Sequence, residues 1–129
     1  MNELCLETSA VVAISFDEAT APELKREIEG ADRLYIGAAT LFEAILVISR
    51  RTGVDAEERL LALMRGLNVE IVPFDADQLR FAQSAYVRYG KGRHPAALNF
   101  GDCLSYAAAK ASGARLLYVG DDFAQTDLT

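Results

Sequence analysis

The stretch Leu4–Cys5–Leu6–Glu7 is a short apolar run that stops on a carboxylate. A run of this length bounded by polar residues reads as a buried strand rather than a helix. A glutamate straight after it is a poor strand residue, and the local sequence suggests no capping duty for it. Three further runs share the form, Leu34–Ile36, Val69–Phe74 and Leu116–Val119. Between them lie helical patterns. Thr20–Ala21–Pro22–Glu23 offers an N-cap, a first-turn proline and a capping-box acid, and Asp55–Ala56–Glu57–Glu58 offers a similar start. Asp75 is expected to cap a helix running through Tyr89, and Asn99 or Gly101 to open another that ends near Ser112, with Gly53, Gly66, Gly90 and Gly113 as stops. Strands separated by helices imply right-handed crossovers and a mainly parallel sheet of four or five short strands. The expectation is an α/β fold with three layers, helices on both faces of the sheet.

The chain has 129 residues, and the whole of 1–129 is expected to form one domain. With 51% hydrophobic and 25% charged residues, the composition excludes disorder and collagen-like repeats. No apolar run approaches the ~18 to 20 residues of a membrane span. The N-terminus Met1–Asn2–Glu3–Leu4 carries an acid where a secretory signal would carry cations, so a cytoplasmic protein is expected. Cys5 and Cys103 fall in apolar strand-like and helix-like runs and read as buried reduced thiols.

The formal net charge of −6 conceals a local asymmetry. Between Asp77 and Asp102 there is no acid, while Arg80, Arg88, Lys91 and Arg93 all fall there, with His94 beside the last. Acids for a metal together with cations for a phosphate backbone suit a metal nuclease. The loop Gly90–Lys91–Gly92–Arg93–His94–Pro95 is glycine-dense enough to let a ligand approach its backbone.

In an open parallel sheet, ligands bind beyond the carboxyl ends of the strands. Glu7 ends the first strand, Glu43 lies just after the second, Asp102 opens the helix before the last strand, and Asp121–Asp122 follow it. Each acid has an ordinary explanation: Glu43 fits a capping box with Thr40, Asp102 suits a helix N-terminus, and Asp121–Asp122 suit a turn. Together they make a pocket of like charge, which a hard cation such as magnesium would neutralise through carboxylate and water oxygens. With His94 the only histidine, the chemistry this suggests is in-line attack of metal-activated water on a phosphodiester, leaving a 5′-phosphate.

These residues resemble the PIN-domain toxins of the VapC type. Glu7–Thr8–Ser9–Ala10 is similar to their opening Asp–Thr–Ser–Ala. The likeness continues through Thr40–Leu41–Phe42–Glu43–Ala44, Val72–Pro73–Phe74–Asp75, Tyr89 to Ala96, Leu98 to Cys103 and Gly120–Asp121–Asp122–Phe123. The resemblance implies a PIN-like fold and a magnesium-dependent endoribonuclease, with manganese as a substitute ion, that cuts structured transfer or ribosomal RNA. It also implies a VapB-type antitoxin as inhibitor, a homodimer and a toxin–antitoxin hetero-oligomer, and contact with operator DNA through the antitoxin alone. By position, Glu7, Asp102, Asp121 and Asp122 would bind metal, with Glu43 holding metal-bound water and Glu7, Glu43, Asp102 and Asp121 as the catalytic set. Thr8, Ser9 and Asn99 would orient them. Lys91, Arg93, Arg88 and Arg80, with Arg50–Arg51 as further candidates, would hold the RNA backbone.

One residue departs from the family. Where its members carry aspartate, this chain carries Glu7, and an added methylene is a large change where catalytic groups must sit within roughly half an ångström. A working variant, a natural loss of activity and a deliberate substitution all stay open at this point. Geometry favours impaired activity, which leaves an alternative reading: a binding module that docks its antitoxin and helps repress the operon. The antitoxin would lie along Pro22–Glu29 and the Thr40–Arg51 face, with an arginine reaching the acid pocket, near Leu41, Ile45 and Ile48 unless these are core. A phosphatase of the haloacid dehalogenase type needs a second aspartate where Ser9 stands. A receiver domain needs an aspartate at the end of a central strand and a lysine after the last, and neither is present in place.

Overall fold

A computed structural model describes residues 1–128, so Thr129, the last residue of the expected domain, lies outside the described residues. The order of elements is β1 (Glu3–Leu6), α1 (Thr8–Ser15), α2 (Ala21–Glu29), β2 (Arg33–Gly37), α3 (Ala38–Thr52), α4 (Glu57–Gly66), β3 (Val69–Val72), α5 (Ala76–Tyr89), α6 (Phe100–Ser112) and β4 (Arg115–Leu117). The strands form one sheet in the order β3-β2-β1-β4, and each neighbouring pair is parallel.

Alternation along the central strands assigns the layers. Leu4 and Leu6 of β1, with Leu34 and Ile36 of β2, pack into a cluster with Val11, Leu24, Ile48 and Leu60 of α1 to α4. Cys5 and Tyr35 point to the other face, against Ala85 of α5 and Tyr106 and Ala109 of α6. A sheet buried on both faces explains the unbroken apolar runs. Cys5 and Cys103 are buried and unpaired, and burial pushes the Cys5 thiol up to about 12.

Two strands end earlier than the sequence suggests. β3 stops at Val72 because Pro73 has no N–H to continue the ladder. β4 stops at Leu117, and the Val119 N–H donates instead to Ser9 Oγ at 2.8 Å. The expected Thr20 cap is not made, because Thr20 already has helical dihedrals and its side chain bonds to none of the first-turn amides. α1 escapes a periodicity reading, since Thr8–Ser15 is apolar nearly all round and shows no polar face.

The chain steps outward from β1 to β2 to β3, then crosses back to place β4 on the other side of β1. The direction of winding therefore reverses between β1 and β4. Their carboxyl ends flank the crevice where open α/β sheets bind ligands.

Candidate active site

Glu7 leaves β1 at that crevice and becomes the N-cap of α1. Its Oε2 accepts the Ser9 N–H at 2.7 Å and the Ser9 hydroxyl. This corrects the expectation that Glu7 has no capping duty: an extended backbone at φ −105° turns its longer side chain back over the helix start. Ser9 also holds β4 in place by accepting from Val119, so one hydroxyl ties Glu7 to the last strand.

Glu43 is not in a capping box. α3 begins at Ala38, which places Thr40 and Glu43 inside the helix, and Thr40 Oγ1 meets Ser105 Oγ at 3.1 Å instead. Glu43 reaches across to α1, where its Oε1 accepts the Thr8 hydroxyl at 2.6 Å. Its carboxylate lies flush against the start of α6. A Cβ on Gly101 would meet Glu43 Cδ at 2.9 Å and overlap Oε2.

Asp102 occupies the third position of α6 and closes a capping box with Asn99. The Asp102 N–H donates to Asn99 Oδ1 at 2.9 Å, and the Asn99 N–H donates to Asp102 Oδ2 at 3.1 Å. Asn99 therefore does orient Asp102, as expected of it, and it does so through its main chain. In the structure the backbone N–H does that work, because the amide oxygen is committed to the cap.

Three carboxylates thus share the crevice, and each has one oxygen tied by a hydroxyl or an amide: Glu7 Oε2, Glu43 Oε1 and Asp102 Oδ2. Among the described residues no ion pair reaches any of them. Burial raises Glu7 above the usual carboxylate range, the Ser9 bonds oppose it, and the charges of Asp102 and Glu43 push it further up. Burial likewise raises Asp102, against the Asn99 bond and with the charges of Asp122 and Glu43. After β4, the Asp122 charge acts on Asp102, and the Asp121 carbonyl accepts the Ala124 N–H in a turn.

This donor set suits a small hard cation. The remaining oxygens, Glu7 Oε1, Glu43 Oε2 and Asp102 Oδ1, accept no hydrogen bond among the described residues. No three His, Cys, Asp or Glu side chains among the described residues converge tightly enough to cage a metal on their own. Magnesium does not need such a cage, since it is held by one or two carboxylates and keeps several waters.

The four expected RNA-binding cations lie on α5 and in the loop that follows it. Arg88 is occupied by the C-terminal segment: it donates to Tyr89 Oη at 2.6 Å, lies 4.7 Å over the Tyr89 ring and stands 3.7 Å from Asp127. Arg80 lines a hollow with Pro73, Asp75 and Ala111 and shares another with Leu79, Val87 and Arg88. Arg51 pairs with Glu18 at 3.4 Å. Lys91 lines a cleft between α5 and α6, and Arg93 lies 5.0 Å over Tyr86, another residue of that cleft. His94 is structural, with its Nδ1 accepting the Ala96 N–H and its ring edge-on to Tyr89. Sequence reasoning passed over Gly101 and Phe100, whose signals were a glycine inside a helix start and a large aromatic beside an acid.

Residues 4–128 match the sequence profile of the PIN domain. The chain belongs to the PIN-domain family. Ribonuclease VapC30 of Mycobacterium tuberculosis is 40% identical to it over 125 residues, 97% of this chain and 95% of that one. Ribonuclease VapC of Mycolicibacterium smegmatis is 42% identical over 125 residues, 97% of each. Among solved structures, this PIN domain superposes on Mycobacterium tuberculosis VapC20, described as a sarcin–ricin-loop-cleaving toxin. The TM-score is 0.75 and the identity 22%, over 94% of this chain and 92% of that one. A toxin–antitoxin complex from Klebsiella pneumoniae shares the fold with a TM-score of 0.71 and 18% identity, over 97% and 93% of the chains.

Proposed function

We propose that this PIN-domain protein is an endoribonuclease and the toxin of a toxin–antitoxin pair. The observation that carries the reading is the convergence of Glu7, Glu43 and Asp102, from three distant parts of the chain, on the crevice beyond β1 and β4 with no cation paired to them. Glu7 and Asp102 would hold magnesium or manganese, with Glu43 and Asp122 acting through water. Such an ion would supply an acidified water and neutralise charge on the phosphate. Thr8, Ser9 and the Asn99 N–H keep the three carboxylates aimed into the crevice. Lys91 and Arg93 give the substrate backbone its positive contacts, and the carboxylate side of the crevice is left to the reaction.

The inhibitor in this reading is a VapB-type antitoxin. Leu41 and Ile48 are core residues, so they are not available to it. The exposed edge of α3 offers Phe42, 61% exposed, beside Ile45 and Arg50 as an apolar seat for an antitoxin helix. Among the described residues no helix is long and apolar enough to cross a membrane, and a cytoplasmic location belongs to the same proposal.

A second reading is favoured by one residue. Glu7 is bent back onto Ser9 by both of its bonds, and a carboxylate spent on a cap is less free to serve an ion. A comparison of this chain with its Glu7→Asp form tests both readings. Cleavage of RNA by both forms, with 5′-phosphate ends, supports the ribonuclease. Cleavage by the aspartate form alone supports a toxin kept for antitoxin binding. A 2′,3′-cyclic phosphate end would contradict the mechanism, since it would make the RNA 2′-hydroxyl the nucleophile.

A further inference from the structure

Beside the carboxylates, α5 and α6 diverge around a cleft of about 590 Å³. Phe74 lines it together with Leu79 and Tyr86 of α5 and Phe100 of α6, and Lys91 and Asn99 add polar groups to the lining. Phe100 is 82% exposed although it stands at the first position of a well-capped helix, two residues before Asp102. Phe74, Leu79 and Tyr86, which line the same cleft, are exposed as well, and an apolar patch of this kind left open to solvent marks a binding surface.

From these residues we infer that the cleft is a base-binding subsite, taking one unpaired base of the RNA with its ring stacked on Phe100 and its flanking phosphate on Lys91 and Arg93. This rests on the ribonuclease reading of the carboxylates. The charge argues for a nucleic acid over an apolar peptide. The cleft opens onto the segment 78–101, which has no acid in a chain of net charge −6. Arg93 already stands over the ring of Tyr86, a cleft-lining residue, with its guanidinium carbon 5.0 Å from the ring centre. Sequence-specific RNA recognition works on splayed-out bases stacked on aromatic rings or guanidinium planes, and those surfaces are both present.

The geometry also connects the cleft to the reaction. Asn99 lines it and caps the helix that carries Asp102, so a strand seated there lies against the helix start that holds one of the carboxylates. The rim is built rather than loose. Lys91 N–H donates to the Leu98 carbonyl at 3.0 Å and Leu98 N–H to the Tyr89 carbonyl at 2.9 Å, which clasps the loop at its base. At Gly90 a Cβ would overlap the Tyr86 carbonyl, so the loop can leave α5 here only through glycine.

The test is equilibrium binding, in chelator so that nothing is cut, of a fluorescent mixed-sequence 12-nucleotide single-stranded RNA to the full chain. Phe100→Ala should weaken binding by roughly five- to a hundredfold, the effect of removing one base–aromatic stack. Phe100→Trp should restore it, and 4-thiouridine in the RNA should photocrosslink to the parent at Phe100 or Tyr86. Unchanged binding by Phe100→Ala, or no binding by the parent, would overturn the subsite while leaving metal-dependent cleavage to be judged on its own assay. A Phe100→Ala protein that loses self-association and keeps its RNA affinity would also overturn it, showing the cleft to be covered by a second copy. Failure of cleavage alone, with stacking intact, would count against the ribonuclease reading and not against the subsite.

Discussion

Glycine 101 sits where helix propensity argues against it, in the first turn of α6, and the reason is its neighbour. The Glu43 carboxylate occupies the space of the missing Cβ. Because that obstacle is the end of a flexible side chain, Gly101→Ala should fold, with a gain of up to about 1 kcal/mol from helix propensity. It should also swing Glu43 off the pocket and lower RNA cleavage on the order of a hundredfold, as a misplaced catalytic group does. Thermal melting and a cleavage assay on the same preparation check this; a variant that is fully active, or that does not fold, contradicts it. Glu7 yields the second prediction at this scale. Its folded pKa is raised above 4.5, chiefly by burial, so the folded state holds the Glu7 proton more tightly than the unfolded chain does. Its stabilising contribution is complete below the unfolded value and lost as pH rises through the folded one. Glu7→Gln keeps an oxygen for Ser9 and removes the charge, so in chelator it should melt at a higher temperature than the parent at pH 7. The two should converge toward pH 4. A Gln form no more stable at pH 7 would mean that the cap needs the carboxylate charge more than burial penalises it.

At the scale of the elements, the helix starts decide where the carboxylates point. Asn99 caps α6 and Asp102 answers it, so the same pair of bonds that begins the helix also aims the acid. Asn99→Ala should cost about 1 kcal/mol, read as a lower urea midpoint. It should also reduce cleavage more than that loss of folded protein explains, because the helix start that fixes Asp102 would fray; an unchanged midpoint would contradict the cap. The carboxyl-end location of Glu7 and Asp102 was legible from apolar runs and cap chemistry alone. The bonds were not, because Glu7 reads as an unlikely cap by residue type and takes that role only through the turn from β1 to α1. The partners of the basic residues were hidden for a related reason. Clustering in sequence does not say what each cation meets, and Arg88 is turned toward Tyr106 and Asp127. Burial and the bond to Asp127 raise Tyr106 to about 12, against the Arg88 charge.

Over the whole molecule, the strand order β3-β2-β1-β4 does the organising. It brings residue 7, a helix start near residue 100 and the turn after residue 120 to one crevice, which no local sequence feature states. Parallel pairing was legible, since strands alternating with helices leave few other topologies. The reversal of winding at β1 and β4 was not, because nothing in a strand's own residues says on which side of the sheet its successor lands. The same order separates the two charge characters of the molecule, carboxylates over the carboxyl ends of β1 and β4 and cations on the loop between α5 and α6. The central claim, that this carboxylate crevice cuts RNA with the help of a divalent ion, is tested most directly by incubating total RNA with the purified, antitoxin-free chain beside its Asp102→Asn form. Magnesium, manganese and chelator are compared in parallel. Discrete products that need the ion and disappear in Asp102→Asn are the predicted result; products that persist in chelator or in Asp102→Asn would contradict it.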